Sequence, residues 1–417
     1  MKIHNLIGLA LAACVIGAPA LLAQDEQSFE KIERGRYLAV LGDCVACHTA
    51  PGGKPFAGGL GLETPFGALV GPNITPDLAT GIGAWSEADF WRTMHEGIGK
   101  NGVRLYPAMP YPAYTKVTRE DVSAIWAYLR TLEPVRNEIQ SNQLMFPFTV
   151  RRPATSVWNL INFQPGVFQP DTSKSEAWNR GAYLVEGLGH CGTCHTQKNI
   201  TGGDRGGEAL QGALLQDWYA PDVTSDLRTG IGGWSTDEIV RYLKTAANSF
   251  GIASGPMAEA VEHSTSHMTD ADLMAIATYL KDSPGKKNPP PITSLPADDP
   301  RMIAGKAIYE DRCAACHISS GAGIPTLFPR LANAPLVQSD DPTSLIRVVL
   351  AGSRAGATAA APTAPAMPSF AWNLNDQQVA DVVTYIRNAW GNAAQPVQAG
   401  DVGKLRDRLQ RQAATGG

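Results

Sequence analysis

Cys44-Val45-Ala46-Cys47-His48, Cys191-Gly192-Thr193-Cys194-His195 and Cys313-Ala314-Ala315-Cys316-His317 are three copies of one five-residue pattern. Together they take six of the seven cysteines in the 417-residue chain. On a helical turn, cysteines at i and i+3 share a face and the histidine at i+4 follows beneath them. Two thiols so placed can add to the vinyl groups of one porphyrin while the imidazole ligates its iron, so each copy reads as a covalent haem c site. The competing readings are zinc, whose ligands also come as C-x-x-C pairs, and a redox dithiol. Each pair here carries its own histidine, and the copies stand 147 and 122 residues apart, which favours three separate sites over pairs converging on shared metals.

Nine methionines supply candidates for the ligand on the opposite side of each iron. Met109 in Pro107-Ala108-Met109-Pro110 and Met367 in Pro365-Ala366-Met367-Pro368 lie among prolines that favour an extended, rigid segment able to present a thioether. In the middle repeat the choice is Met257 or Met268, with His263 and His267 as outside candidates. Spacing selects Met257: His48 to Met109 is 61 residues, His195 to Met257 is 62, and His195 to Met268 is 73. Met94, Met145, Met274 and Met302 are expected to pack in the core. His95 and His190 have no counterpart in the other repeats and are expected to be surface or structural side chains. The expected iron ligands are therefore His48, Met109, His195, Met257, His317 and Met367. Iron held by histidine and methionine has no open position, which is the ligation of electron carriers, so no catalytic residue is expected.

Around each motif the sequence repeats a frame. Closing helices are predicted over 120–129, 271–280 and 377–386, with apolar residues at i, i+3, i+6 and i+7. Thr118, Thr269 and Asn375 stand at their caps, and Asp121, Asp272 and Gln378 three residues on complete a capping box or its acidic variant. Opening helices carry Gly35 with Tyr37, Gly181 with Tyr183 and Gly305 with Tyr309, the glycine allowing one helix to cross another closely. Pro72, Pro221 and Pro329 follow the motifs. A proline has no amide hydrogen to satisfy, so each is expected to turn a carbonyl toward the ligating histidine. Units one and two share Gly81-Ile82-Gly83-Ala84-Trp85-Ser86 and Gly230-Ile231-Gly232-Gly233-Trp234-Ser235; unit three has a shorter path, 50 residues from His317 to Met367, with Ala355 to Pro365 as the loop that delivers the methionine.

Charge and the amino terminus narrow the setting. Lys+Arg total 35 against 39 Asp+Glu, with no basic run, which argues against nucleic acid as a partner. Residues 1–23 read as an export signal: Lys2 precedes an uncharged run ending in small residues. The seventh cysteine lies in Leu11-Ala12-Ala13-Cys14, which resembles a lipoprotein box, but the run stays apolar to Ala23. That favours cleavage near residues 20–23 over a lipidated Cys14 or an uncleaved anchor. The stretch from Glu133 to about Thr172 contains Met145-Phe146-Pro147-Phe148 and Val157-Trp158-Asn159-Leu160-Ile161-Asn162-Phe163. It is too apolar for a free linker and is expected to pack on its own protein, a partner or the bilayer surface. Ser283 to Pro300, with Pro289 to Pro291, reads as a semi-rigid spacer, and the tail after Trp390 as polar with a short frayed helix.

From about residue 30 to 392 the chain resembles the three-haem cytochrome c subunit of bacterial membrane-bound dehydrogenases, the alcohol, gluconate, sorbitol, fructose and aldehyde type. The likeness rests on Gly42-Asp43 with the first motif and Thr49-Ala50, on Leu105-Tyr106-Pro107-Ala108-Met109-Pro110-Tyr111-Pro112, on Gly189-His190 with the second motif and Thr196, and on Ala380 to Arg387. It implies a mainly α fold of three tandem class I cytochrome c-like domains, each wrapping one covalent haem. The expected division is signal 1–23, domain one 24–133, connector 134–172, domain two 173–283, Pro-rich linker 284–298, domain three 299–392 and polar tail 393–417. Cytochrome c maturation takes place outside the bacterial cytoplasmic membrane, in agreement with export. The resemblance further implies a periplasmic complex at the outer face of that membrane. In it a separate quinoprotein, flavoprotein or molybdenum subunit oxidises the substrate, and this chain passes electrons to ubiquinone. Relatives of the alcohol dehydrogenase type continue into a longer tail than this chain, which stops at Gly417.

No catalytic cofactor domain fits in the residues left over, so substrate oxidation is assigned to another polypeptide. Two other classes compete with an electron-transfer subunit. A multihaem peroxidase needs an open iron, and a response to cyanide or peroxide would reveal it. A stand-alone shuttle or oxidase-linked cytochrome would purify without a dehydrogenase.

Overall fold

The computed structural model describes residues 28–64, 66–140, 142–286 and 292–415. The expected signal segment with Cys14, and Pro289 to Pro291, lie outside the described residues. Among the described residues helices dominate, and strands are confined to three short antiparallel arrangements. No helix among the described residues is long and apolar enough to cross a membrane.

Each unit is built on one crossing of an opening and a closing helix: Phe29–Leu41 on Arg119–Leu129, Glu176–Tyr183 on Asp270–Asp282, and Pro300–Arg312 on Asp376–Asn388. The glycines set how close the helices come. A β-carbon on Gly35 would lie 1.9 Å from the Ala124 carbonyl oxygen, one on Gly181 2.0 Å from that of Ala275, and one on Gly305 2.2 Å from that of Asp381. All three acceptors stand six residues beyond the cap, so one crossing is used three times. Thr118, Thr269 and Asn375 cap as expected, their side chains accepting from the amides of Asp121, Asp272 and Gln378. The reciprocal half of the capping box forms only at Asn375, from Gln378.

Units one and two share a single apolar core, in which Leu38, Leu41, Val117 and Ile125 of the first pack with Leu184, Leu188, Leu273 and Ile276 of the second. Unit three has its own core, centred on Tyr309, Val379, Val382 and Val383. Its contacts with unit two include polar ones, in which the Tyr219 amide donates to Ser344 Oγ at 2.7 Å and Arg228 Nη1 donates to the Ala393 carbonyl at 3.1 Å, and the stacking of the Arg347 guanidinium over the Trp218 ring.

Some expectations change. The tail forms a 17-residue helix, Ala399–Thr415, rather than a short frayed one. Val402 and Leu405 are buried against unit three, and Arg406 donates to Asp376 and to the carbonyls of Ala371 and Leu374. Val402, Leu405 and Leu409 form a stripe at i, i+3 and i+7, too sparse among polar residues to stand out. Met94 and Met302 are buried, but Met145 and Met274 are exposed. The former stands in a turn, and the latter on the outer side of the closing helix of unit two. The connector adds a strand, Gln143–Leu144, to the hairpin of Gly61–Thr64 and Gly67–Val70, then forms a helix over Arg151–Asn162.

Candidate functional site

Each motif is one helical turn, over Cys44–Cys47, Gly192–His195 and Ala314–His317. The turn closes through the histidine amide, which donates to the carbonyl of the first cysteine four residues back: 3.1 Å at His48, 3.0 Å at His195 and 2.9 Å at His317. That bond keeps both thiols and the imidazole on one turn. The six cysteines among the described residues are free.

The imidazoles are oriented alike. Nδ1 of His48 lies 2.7 Å from the Pro72 carbonyl oxygen, that of His195 2.7 Å from Pro221, and that of His317 2.9 Å from Pro329. A carbonyl only accepts, so Nδ1 carries the proton and the Nε2 lone pair is free for a metal. Burial holds all three imidazoles below their usual range, with the proline carbonyls opposing it in part. Burial likewise pushes the thiols of Cys44 and Cys191 up to about 12 and that of Cys313 up to about 11, so at neutral pH they are uncharged. Two free thiols and one neutral, pre-aimed imidazole on a turn fit a covalent haem. Among the described residues no three His, Cys, Asp or Glu side chains group as metal ligands.

The methionines flank the same cores as the motifs: Cys44 and Met109, and Cys191 and Met257, border the shared core, and Cys313 and Met367 that of unit three. Their backbones differ. Met367 is extended, pairing with Ser353 across the loop 355–365. Met109 instead sits in a turn, because its amide donates to the Tyr106 carbonyl at 3.1 Å. Met257 opens the helix Pro256–His263 after Gly255, whose φ is +57°. Met268 is buried directly before the cap Thr269, where unit one has buried Val117 before Thr118. It therefore occupies a packing position, while His263 and His267 are exposed.

Residues ahead of the first two motifs meet face to face. A β-carbon on Gly42 would lie 3.4 Å from the Leu188 side chain and 3.5 Å from Cys44 Sγ. Ser264 donates to the Leu41 carbonyl at 2.9 Å and Tyr114 to that of Gly42 at 3.2 Å, while the His190 ring packs edge-on against Tyr114. His190 thus belongs to the junction of the first two C-x-x-C-H turns, and His95 stacks on Trp91. Asp43 stands there too, its carboxyl pushed up to about 7 by burial and by Glu259 of unit two.

The cytochrome c family matches residues 32–133 and 302–390, segments that hold the first and third motifs. The gluconate 2-dehydrogenase cytochrome c subunit of Pantoea cypripedii is 43% identical over 95% of each chain. The cytochrome c subunit of the quinone-type alcohol dehydrogenase of Gluconobacter oxydans is 39% identical, over 96% of this chain and 87% of the relative. The fructose dehydrogenase cytochrome subunit of Gluconobacter japonicus is 36% identical, over 90% and 82%. With the thrice-repeated C-x-x-C-H turn, the imidazole-to-proline bond and likeness along nearly the whole length, the chain belongs to the family of cytochrome c subunits of bacterial dehydrogenases.

Proposed function

We propose that this chain is the three-haem electron-transfer subunit of a periplasmic dehydrogenase complex at the membrane. In this reading it takes electrons from a separate catalytic subunit and hands them to ubiquinone. Each haem, when bound, supplies a one-electron iron couple. The chain's own residues do the rest. Cys44 and Cys47, Cys191 and Cys194, and Cys313 and Cys316 would tether the three groups, and His48, His195 and His317 would ligate from one side, their rings fixed by Pro72, Pro221 and Pro329. Met109, Met257 and Met367 would close the other side, leaving no position for substrate. The shared core of units one and two holds their sites in a fixed relation, whereas unit three, with a core of its own, can present a different exposure. The observation that carries the reading is the imidazole-to-carbonyl bond made three times, since it prepares three separate iron ligands.

Mass spectrometry of the purified chain should find three haem adducts, its spectrum should show low-spin haems with no response to cyanide or peroxide, and a catalytic polypeptide should co-purify in fixed ratio. Fewer adducts, a vacant iron position, or a lone chain active with soluble donors would overturn it.

A further inference from the structure

The connector helix Arg151–Asn162 is amphipathic with its polar side turned toward the protein. Thr155, Trp158, Asn159 and Asn162, at i, i+3, i+4 and i+7, face inward. Thr155 is buried, Trp158 Nε1 donates to the Thr201 carbonyl at 2.9 Å, Asn159 accepts from the Tyr111 hydroxyl, and Asn162 donates to Thr201 Oγ1 at 3.0 Å. The outward side carries Val157, Leu160 and Ile161, which are 59%, 87% and 60% exposed. Phe146 and Val150, in the turn leading into the helix, and Ile200, next to Thr201, are exposed as well. Scattered apolar residues on a surface are ordinary, but a helix that satisfies its polar face internally and leaves its apolar ridge outside is not. Among the described residues nothing covers this ridge.

Charge indicates the occupant. From Ile139 to Pro170 the sequence holds no Asp or Glu, and its charged residues are Arg151 and Arg152, in a chain of formal net charge −4. An apolar ridge on a segment whose charged residues are arginines, free of acids, matches the boundary between anionic headgroups and acyl chains. We propose that this ridge is a monotopic contact with an anionic phospholipid surface, resting on the reading that the chain delivers electrons to a membrane quinone. The helix is pinned to Tyr106, which donates to the Phe148 carbonyl and lies under the Arg151 guanidinium, and to Tyr111. These tyrosines bracket Met109, so the contact turns the site of unit one toward the bilayer.

The test is flotation of the haem-loaded full chain with vesicles of phosphatidylglycerol and phosphatidylethanolamine, against vesicles of phosphatidylcholine alone. Wild type should float with the anionic vesicles and less so at high salt. Leu160→Glu with Ile161→Glu should lower its partition at least about tenfold while the haem count and reduced spectrum stay unchanged. Because two charges on a helix can disturb folding, Phe146→Ser in the exposed turn is the second variant and should lower partition in the same direction. Undiminished flotation of both variants, or absence of wild-type flotation, overturns the proposal. So does a variant that still floats but no longer co-purifies with the catalytic polypeptide, which would give the ridge to that partner. Failure of the electron-carrier reading would appear elsewhere, as missing haem adducts in the wild type.

Discussion

The Tyr37 hydroxyl donates to Asp272 Oδ2 at 2.6 Å, and Tyr183 returns the same bond to Asp121 Oδ2 at 2.6 Å. Each carboxylate also takes an arginine of its own unit, Arg180 on Asp272 and Arg34 on Asp121, and each tyrosine accepts from the cap amide opposite, Thr269 or Thr118. Units one and two are thus joined by a reciprocal exchange, in the manner of an isologous dimer interface within one chain. It also explains the missing half of the capping box in these units, since the carboxylates that would complete it are engaged across the interface.

Tyr37→Phe removes a charge-assisted bond and leaves the Thr269 amide without its acceptor, so it should destabilise the paired units by about 1–2 kcal/mol. The same change at Tyr183 should cost a similar amount, and Tyr309→Phe should leave the pairing untouched, because that hydroxyl donates to the Ile318 carbonyl within unit three. Denaturant unfolding followed by the absorbance of each haem would separate these effects.

Acid should loosen the same interface. Burial opposes ionisation of Asp272, but the bonds from Arg180 and Tyr37 and the charges of Arg180 and Arg34 outweigh it and hold the carboxyl below its usual range. A depressed folded pKa contributes stability that is complete above the unfolded value, about 3.9, and is lost as pH falls through the folded one. Asp272→Asn should therefore cost about 1–2 kcal/mol at pH 7, a figure kept small by the partly exposed Arg180, and the difference from wild type should shrink below about pH 4. Stability measured across pH 3–7 checks this.

The crossing glycines give a steric prediction. Gly35→Ala, Gly181→Ala and Gly305→Ala each place a β-carbon against a helix carbonyl that cannot move without the helix. Each should cost about 3 kcal/mol or more. Gly206→Ala, with nothing within 4 Å, should be close to neutral in thermal unfolding.

Much of this was legible because the repeat multiplies weak signals. C-x-x-C-H turns, caps, crossing glycines and imidazole-holding prolines each recur in all three units, and local chemistry alone sets their geometry. The pairing of units was also written in the sequence, but as a difference between repeats. Arg34-Gly35-Arg36-Tyr37 and Arg180-Gly181-Ala182-Tyr183 share a pattern that unit three replaces with Ala304-Gly305-Lys306-Ala307. Tyr309 stands two residues further on and turns inward, so grouping it with Tyr37 and Tyr183 hid the distinction. The docking of the tail depended on Val402 and Leu405 finding a groove made by unit three, which no local pattern announces.

The middle methionine is the sharpest test of the ligand set. Met257 borders the shared core, as Cys191 does, whereas Met268 fills the position that Val117 fills in unit one. Met257→His should remove the thioether signature of one haem in three and lower its potential, because imidazole replaces the sulfur that raises it. Met268→Leu keeps the volume at a buried site, so it should cost less than about 1.5 kcal/mol and leave all three spectra as they were. Redox titration followed by near-infrared absorbance distinguishes the two, and loss of the signature on changing Met268 instead would transfer the ligand assignment to that residue.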